Sequence, residues 1–248
     1  MHLRRWKALW SPCQGGNGGR ALTVRICVSI MPYSIEHALK LIEEAENQRA
    51  DLIEVRLDLI KEHEKLGDIA NSARTPLIAT NRPKWCSGKF SGSEMERKKV
   101  LLDACQSGFE YVDFEIDAEW LNKALEELNE TDAKTILSFH DFEKTPEIAE
   151  LRKILESELS KGADICKIVT TARSLHDNLT ILDFLLEERK KAKIVCFAMG
   201  PQGKPSRLLS PIFGGYFTIA ALSQGAETAP GQMTVQEMKT AYKALGVL

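Results

Sequence analysis

The 248-residue sequence has no CxxC pair, no GxGxxG after its first β-like run, and no charge-free apolar stretch long enough to cross a membrane. Each absence removes a class of function. The six cysteines (13, 27, 86, 105, 166 and 196) lack the spacing of a zinc site or a disulfide framework, so free thiols in a reducing, cytoplasmic setting are expected. The five histidines show no metal-ligand spacing, and His37, His63 and His176 fall on charged helical stretches. Without the glycine fingerprint, an open, doubly wound dinucleotide-binding sheet loses its main support. Interrupted apolar runs exclude a membrane span. A net charge of −2 leaves no basic footprint for nucleic acid.

Acidic residues are also missing before Glu36. Residues 1–23 carry Arg4, Arg5, Lys7 and Arg20 and the stretch Gln14-Gly-Gly-Asn-Gly-Gly19. No apolar core follows the basic start, so a secretory signal is not expected. A flexible extension over 1–23 (native, transit segment or a start read too early) is expected, with one folded domain over 24–248.

Within that domain, short β-like runs alternate with helical patterns. The strand candidates are Val24–Ile30, Leu52–Leu57, Leu77–Thr80, Tyr111–Glu115, Thr135–Phe139, Ile165–Val169, Ile194–Ala198 and Tyr216–Ala220. Their starts lie 22 to 34 residues apart, which fits a strand plus a returning helix. Ile35, Ala38, Leu39, Ile42 and Ala45 recur at helical spacing. Thr145-Pro146-Glu147 reads as a helix start, with Thr145 as cap, Ile148, Leu151, Leu155 and Leu159 as the buried stripe, and Gly162 as the stop. Eight such units predict a single (β/α)8 TIM barrel, whose functional groups gather at the C-terminal ends of the strands.

The unusual polar residues fall there. Lys167 is a lone cation inside the apolar run Ala-Asp-Ile-Cys-Lys-Ile-Val. Burial disfavours an ammonium, so its pKa is expected to fall, freeing an amine able to form an imine with a carbonyl, with the Glu54 carboxylate opposing that shift if it lies close. The alternative is a strand-end lysine whose head escapes to water. In strand two, period-two alternation puts Glu54, Arg56 and Asp58 on one face, toward the barrel interior. There a Glu–Arg pair is either structural or a hydroxyl-binding device. His140 ends strand five on the face of Ser138, and beside Lys167 it would form a proton-transfer pair. Arg82 and Arg207 follow strands three and seven, either as solvated loop cations or as carboxylate forks. Gly225-Ala-Glu-Thr-Ala-Pro-Gly-Gln232 reads as a loop, an ordinary turn or one that closes over a ligand.

From about Arg25 to Val247 the chain resembles the type I 3-dehydroquinate dehydratases. The carrying segments are Ile26-Cys-Val-Ser-Ile-Met31, Ile53-Glu-Val-Arg-Leu-Asp58, Ala79-Thr-Asn-Arg-Pro83, Ser138-Phe-His-Asp-Phe-Glu-Lys-Thr-Pro146, Ala163-Asp-Ile-Cys-Lys-Ile168, Ser206-Arg207 and Ala229-Pro-Gly-Gln232. The resemblance implies a lyase of aromatic amino acid biosynthesis that acts on 3-dehydroquinate without metal or organic cofactor. It implies Lys167 as the imine-forming residue and His140 as the acid/base. Arg207 and Gln232 match the carboxylate site, and Glu54, Arg56 and Arg82 match residues that hold ring hydroxyls. Ser29, Met199 and Thr228 match further pocket positions. Many members are dimers, so a homodimer is expected.

Two positions depart from the family pattern. Cys86 stands where many members carry a glutamate that orients the histidine, with Glu94 as a conceivable substitute, and Thr228 replaces a serine. The first change is expected to weaken the orientation of His140. Two alternatives stay open: another imine-forming barrel such as a class I aldolase, and a barrel that binds a cyclic hydroxy acid without turning it over.

Overall fold

The eight β-like runs become eight parallel strands. The computed structural model describes residues 24–128 and 130–248, so the expected extension over 1–23 lies outside the described residues. The strands are β1 (Ile26–Ile30), β2 (Leu52–Arg56), β3 (Leu77–Thr80), β4 (Tyr111–Glu115), β5 (Lys134–His140), β6 (Ile165–Thr171), β7 (Ile194–Met199) and β8 (Thr218–Ala221). The helices are α1 (Ile35–Asn47), α2 (Leu66–Ser72), α3 (Glu94–Gln106), α4 (Leu121–Leu128), α5 (Ile148–Ser160), α6 (His176–Glu188), α7 (Lys204–Leu209) and α8 (Val235–Ala244). The sheet runs β7-β6-β5-β4-β3-β2-β1-β8. Its remaining seam is bridged where the Tyr216 N–H donates to the Ile194 carbonyl at 2.7 Å. The result is a nearly closed (β/α)8 barrel.

Period-two alternation sorts the strand residues. Ile53, Val55, Leu57, Ala79 and Val112 pack outward against the helices, and Leu52, Ile78, Tyr111, Ile136, Ile165 and Phe217 form an apolar cluster inside the barrel. Two residues further along β2, β4 and β6 stand Glu54, Asp113 and Lys167. Registers Ser29↔Glu54, Thr80↔Asp113 and Ser138↔Lys167 bring the polar groups of neighbouring strands level. Apolar packing below and charge above fix which end of the barrel can do chemistry.

Two local expectations are corrected. Thr145 does not cap α5, because its hydroxyl bonds Thr170 Oγ1 at 2.8 Å and the Thr171 carbonyl at 3.1 Å. A residue before proline is also pushed toward extended backbone, so Glu147 becomes the N-cap and the helix opens at Ile148. Gly162 does follow the helix, in the left-handed region at φ 83°. The eighth strand begins at Thr218, with Tyr216 engaged with the first residue of β7.

The α5 stripe contains an acid that the apolar pattern concealed. Glu158 is 0% exposed, and neither carboxylate oxygen has a nitrogen or oxygen partner. Its surroundings are Leu155, Cys166 and Cys196. Burial raises its pKa well above the ordinary carboxylate value. A raised folded-state pKa means stability that is full below the unfolded pKa and is lost as pH rises through the folded one. Glu158→Gln is therefore expected to match the wild type in Tm near pH 4 and exceed it by about 3 °C or more at pH 8. Thermal melts at the two pH values check this; an equal gap at both would contradict it.

Candidate active site

The C-terminal mouth of the barrel opens onto a cavity of about 300 Å³. Its wall includes Glu54, Arg56, Arg82, Cys86, His140, Lys167, Met199, Arg207, Thr228 and Gln232. Nine of the ten expected site residues thus belong to, or stand around, one cavity directly. Glu54, Arg56, His140, Lys167 and Met199 come from strands, Arg82, Thr228 and Gln232 from the loops after β3 and β8, and Arg207 from α7. Ser29 is fully buried behind the wall and reaches the cavity only through its hydrogen bonds.

Lys167 is 4% exposed, and its amine does not escape to water. Nζ donates to Asp113 Oδ2 at 2.7 Å and to Glu54 Oε1 at 3.2 Å. Burial lowers the pKa of this amine, but the carboxylates of Asp113 and Glu54 outweigh burial and the repulsion of Arg82, so the pKa is raised. This corrects the sequence-based expectation of a lowered value. The resting group is an ammonium. The same two carboxylates are placed to hold any other cation formed on that nitrogen, such as an iminium.

The expected Glu–Arg pair is also corrected. Arg56 forks onto Asp58, with Nε on Oδ1 at 3.0 Å and Nη2 on Oδ2. Asp58 further accepts the backbone N–H groups of Arg82 and Lys89, each at 3.0 Å, and so pins the loop after β3. Glu54 serves Lys167 instead, and accepts from Ser29 at 2.6 Å and Thr80 at 3.1 Å. Burial works against ionisation of Glu54, yet Lys167 and Arg56 lower its pKa to about 2.

A hydroxyl relay links that carboxylate to the loop after β8. Gln232 Nε2 donates to Thr228 Oγ1 at 3.0 Å, which donates to Ser29 Oγ at 2.8 Å, which donates to Glu54. The loop is held close by Gly231 at φ 79°, where a Cβ would collide with the Gly200 carbonyl. Ala229 and Pro230 of this loop line the cavity.

Arg82 is paired more heavily than expected. Its Nη1 donates to Glu115 Oε1 at 2.6 Å and to Ser138 Oγ at 3.0 Å, and its Nη2 lies 2.9 Å from Asp113 Oδ1. Asp113 and Glu115 are the site residues that sequence reasoning missed. Their signal was available, since β4 reads Tyr-Val-Asp-Phe-Glu with the same alternation as β2.

Arg207 presents the opposite situation. It is 1% exposed, Nη1 donates to the Ile219 carbonyl at 3.2 Å, and Nε and Nη2 have no partner. Its guanidinium carbon lies 4.2 Å from the centroid of the Phe197 ring. Among the described buried lysines and arginines, it alone has no carboxylate. Burial pushes its pKa down to about 9, against a small pull from Glu54. A desolvated fork with free donors is a receptor for an anion that arrives with the ligand.

His140 is half-buried, and its Nδ1 has no partner. Burial and the nearby cations Arg82 and Lys167 hold its pKa well below the ordinary value, with Asp113 opposing. The imidazole is neutral and can accept a proton. Cys86 supplies no orienting carboxylate; burial pushes its thiol up to about 11 despite Arg82, so it is neither an anion nor a reactive thiolate. Glu94 does not substitute. Its carboxylate is held by Arg97 at 2.7 Å and by Trp120 Nε1 at 2.9 Å.

Residues 26–248 match the family model described as type I 3-dehydroquinase. The chain belongs to the type I 3-dehydroquinase family. It is accordingly a hydro-lyase, and membership removes the aldolase alternative. A 3-dehydroquinate dehydratase of Methanococcus maripaludis is 35% identical over 223 residues, covering 89% of this chain and 100% of the relative. Another from Desulfotalea psychrophila is 37% identical over 222 residues, covering 87% and 95%. The Geobacillus kaustophilus 3-dehydroquinate dehydratase structure superposes with a TM-score of 0.83 at 26% identity, covering 90% of this chain and 91% of that one. The Clostridium difficile type I enzyme, determined with covalently modified comenic acid, gives 0.82 at 26% identity, covering 90% and 92%. In this type I 3-dehydroquinase, Cys86, which departs from the pattern expected of many members, shares the cavity wall with Arg82 and Lys167.

Proposed function

We propose that this protein converts 3-dehydroquinate to 3-dehydroshikimate and water in the shikimate pathway, through an imine on Lys167. The observation that carries the reading is the pairing, in one cavity, of a buried amine between two carboxylates with a buried guanidinium that has free donors. A cyclic keto acid satisfies both at once: its ketone meets Lys167 and its carboxylate meets Arg207.

The steps balance as follows. Neutral His140 takes a proton from the Lys167 ammonium, and the free amine attacks the C3 carbonyl. The histidine returns that proton to the carbinolamine hydroxyl, which leaves as water, and a protonated imine remains beside Asp113 and Glu54. The cation acidifies C2, and His140 removes a C2 proton to give an enamine. The enamine electrons expel the C1 hydroxyl as His140 protonates it, and a second water leaves. Hydrolysis of the product imine consumes one water and frees Lys167, so one water is released overall. Arg207, Gln232 and Thr228 hold the carboxylate, and Glu54, Arg56 and Arg82 face the ring hydroxyls, with Met199 closing the apolar side.

Arg207→Ala tests the carboxylate assignment. Loss of a charge-assisted fork is expected to lower kcat/KM by about 10²-fold, with KM rising and Lys167 chemistry intact. Steady-state formation of the conjugated ketone checks this, and an unchanged KM would contradict the assignment. No turnover of 3-dehydroquinate by the wild type would overturn the whole reading, and binding without turnover would favour a ligand-holding barrel.

A cytoplasmic homodimer completes the proposal. The described cysteines 27, 86, 105, 166 and 196 are free, and Leu175, Leu179 and Leu186 form an exposed apolar stripe along α6. A monomeric mass by light scattering would remove the dimer from the account.

A further inference from the structure

We propose that Arg97, a residue of α3 outside the cavity wall, is a positioning residue for Lys167 that acts through Glu115 and Arg82. The inference rests on the imine reading of Lys167 given above.

Arg97 is 0% exposed although it follows a surface helix start. The capping box of Ser93 and Glu96 fixes that start, which sets where Arg97 leaves the helix. Its guanidinium is shared among several partners. Nε and Nη2 donate to the Glu94 carboxylate at 3.0 and 2.7 Å, and Nη1 donates to Glu115 Oε2 and, at 3.3 Å, to the Asn81 carbonyl. The Trp120 ring centroid lies 4.7 Å from its guanidinium carbon.

Beyond Glu115 the charges alternate to the active amine. Glu115 Oε1 takes Arg82 Nη1 at 2.6 Å, Arg82 Nη2 reaches Asp113 Oδ1 at 2.9 Å, and Asp113 Oδ2 takes Lys167 Nζ at 2.7 Å. The decisive detail is how Glu115 is divided. A lone arginine facing a carboxylate prefers to engage both oxygens with both arms of its fork. Arg97 occupies Oε2, so Arg82 meets Glu115 with one arm and keeps the other for Asp113. Without Arg97, Arg82 would turn onto Glu115 bidentately. Asp113 would then lose the cation that fixes its Oδ1, and with it the direction in which Oδ2 holds Lys167. Stability alone gives little reason for such a ladder, because buried ion pairs are often replaceable by apolar groups without loss.

The test uses the full chain and reports turnover per active site, with sites counted by the end point of borohydride trapping in the presence of 3-dehydroquinate. Arg97→Met is expected to lower kcat per site about tenfold to a hundredfold and to raise KM by less than it lowers kcat, because Arg207 and Gln232 are untouched and Arg82 is the one ring-hydroxyl contact that moves. Arg97→Lys recovers part of the loss. Glu115→Gln produces a loss like that of Arg97→Met, and the double variant is no slower than either single one, since both act on one linkage. Unchanged kcat per site in Arg97→Met, or losses that multiply in the double variant, would overturn the proposal. Should Arg97→Met fail to fold, a wild-type rate per site in Arg97→Lys would overturn it equally. Absence of any adduct in the wild type defeats the Lys167 reading instead, whereas a wild-type adduct with full Arg97→Met turnover defeats only this inference.

Discussion

Lys167→Ala is expected to abolish turnover of 3-dehydroquinate and to leave no adduct for borohydride to trap. The chemistry explains the size of the effect. A proton next to a simple ketone is a weak acid, and only the cationic imine supplies a strong electron sink at C3. No other described lysine lines the cavity. Asp113 retains Arg82 and Ser138 in the variant, and Glu54 retains Ser29 and Thr80, so neither carboxylate is stranded. Folding should survive, and circular dichroism will separate loss of chemistry from loss of structure. Measurable turnover by a folded Lys167→Ala protein would refute the covalent route.

His140→Ala should separate attachment from elimination. The imine needs a proton acceptor to form, but water can serve slowly. The adduct is therefore expected to accumulate with delayed kinetics and to reach the wild-type end point. Turnover, which needs a base at C2 and an acid at C1 in succession, should fall about 10²–10⁴-fold. Single-turnover trapping beside steady-state rates reads both quantities. Equal losses in trapping extent and turnover would mean that His140 builds the site rather than moving protons.

The barrel was legible because its two periodicities are local properties. Alternation in β2 placed Glu54 and Arg56 inside, and the same rule applied to β4 would have delivered Asp113 and Glu115. Those two were missed because no lone cation or histidine drew attention to that strand. The protonation of Lys167 was illegible for a different reason. Burial is readable from an apolar run, but Coulomb energy depends on separations across the barrel, and Asp113 and Glu54 lie 54 and 113 residues away in sequence. The same limit applies to Arg207, whose importance lies in the partners it lacks. Thr145 was misassigned because a capping signature cannot show that β6 already engages the hydroxyl. Glu158 was hidden within a helical stripe of which Leu151 and Leu155 are buried, while Ile148 and Leu159 are only half-buried.

Cys86 fits this picture through its consequence for His140. Cys86 and His140 both line the cavity, and His140 Nδ1 has no hydrogen-bond partner there. The imidazole is instead flanked by Phe142, whose ring lies nearly parallel at a centroid separation of 5.9 Å. Orientation by packing is less directional than orientation by a carboxylate. Proton transfer, rather than imine formation, is therefore the step this chain is expected to perform most slowly.

The most direct test is peptide mapping by mass spectrometry after sodium borohydride treatment with 3-dehydroquinate present. The account predicts one reduced adduct per chain, carried on the peptide that contains Lys167. Full turnover with that peptide unmodified, or an adduct on another lysine, would contradict it.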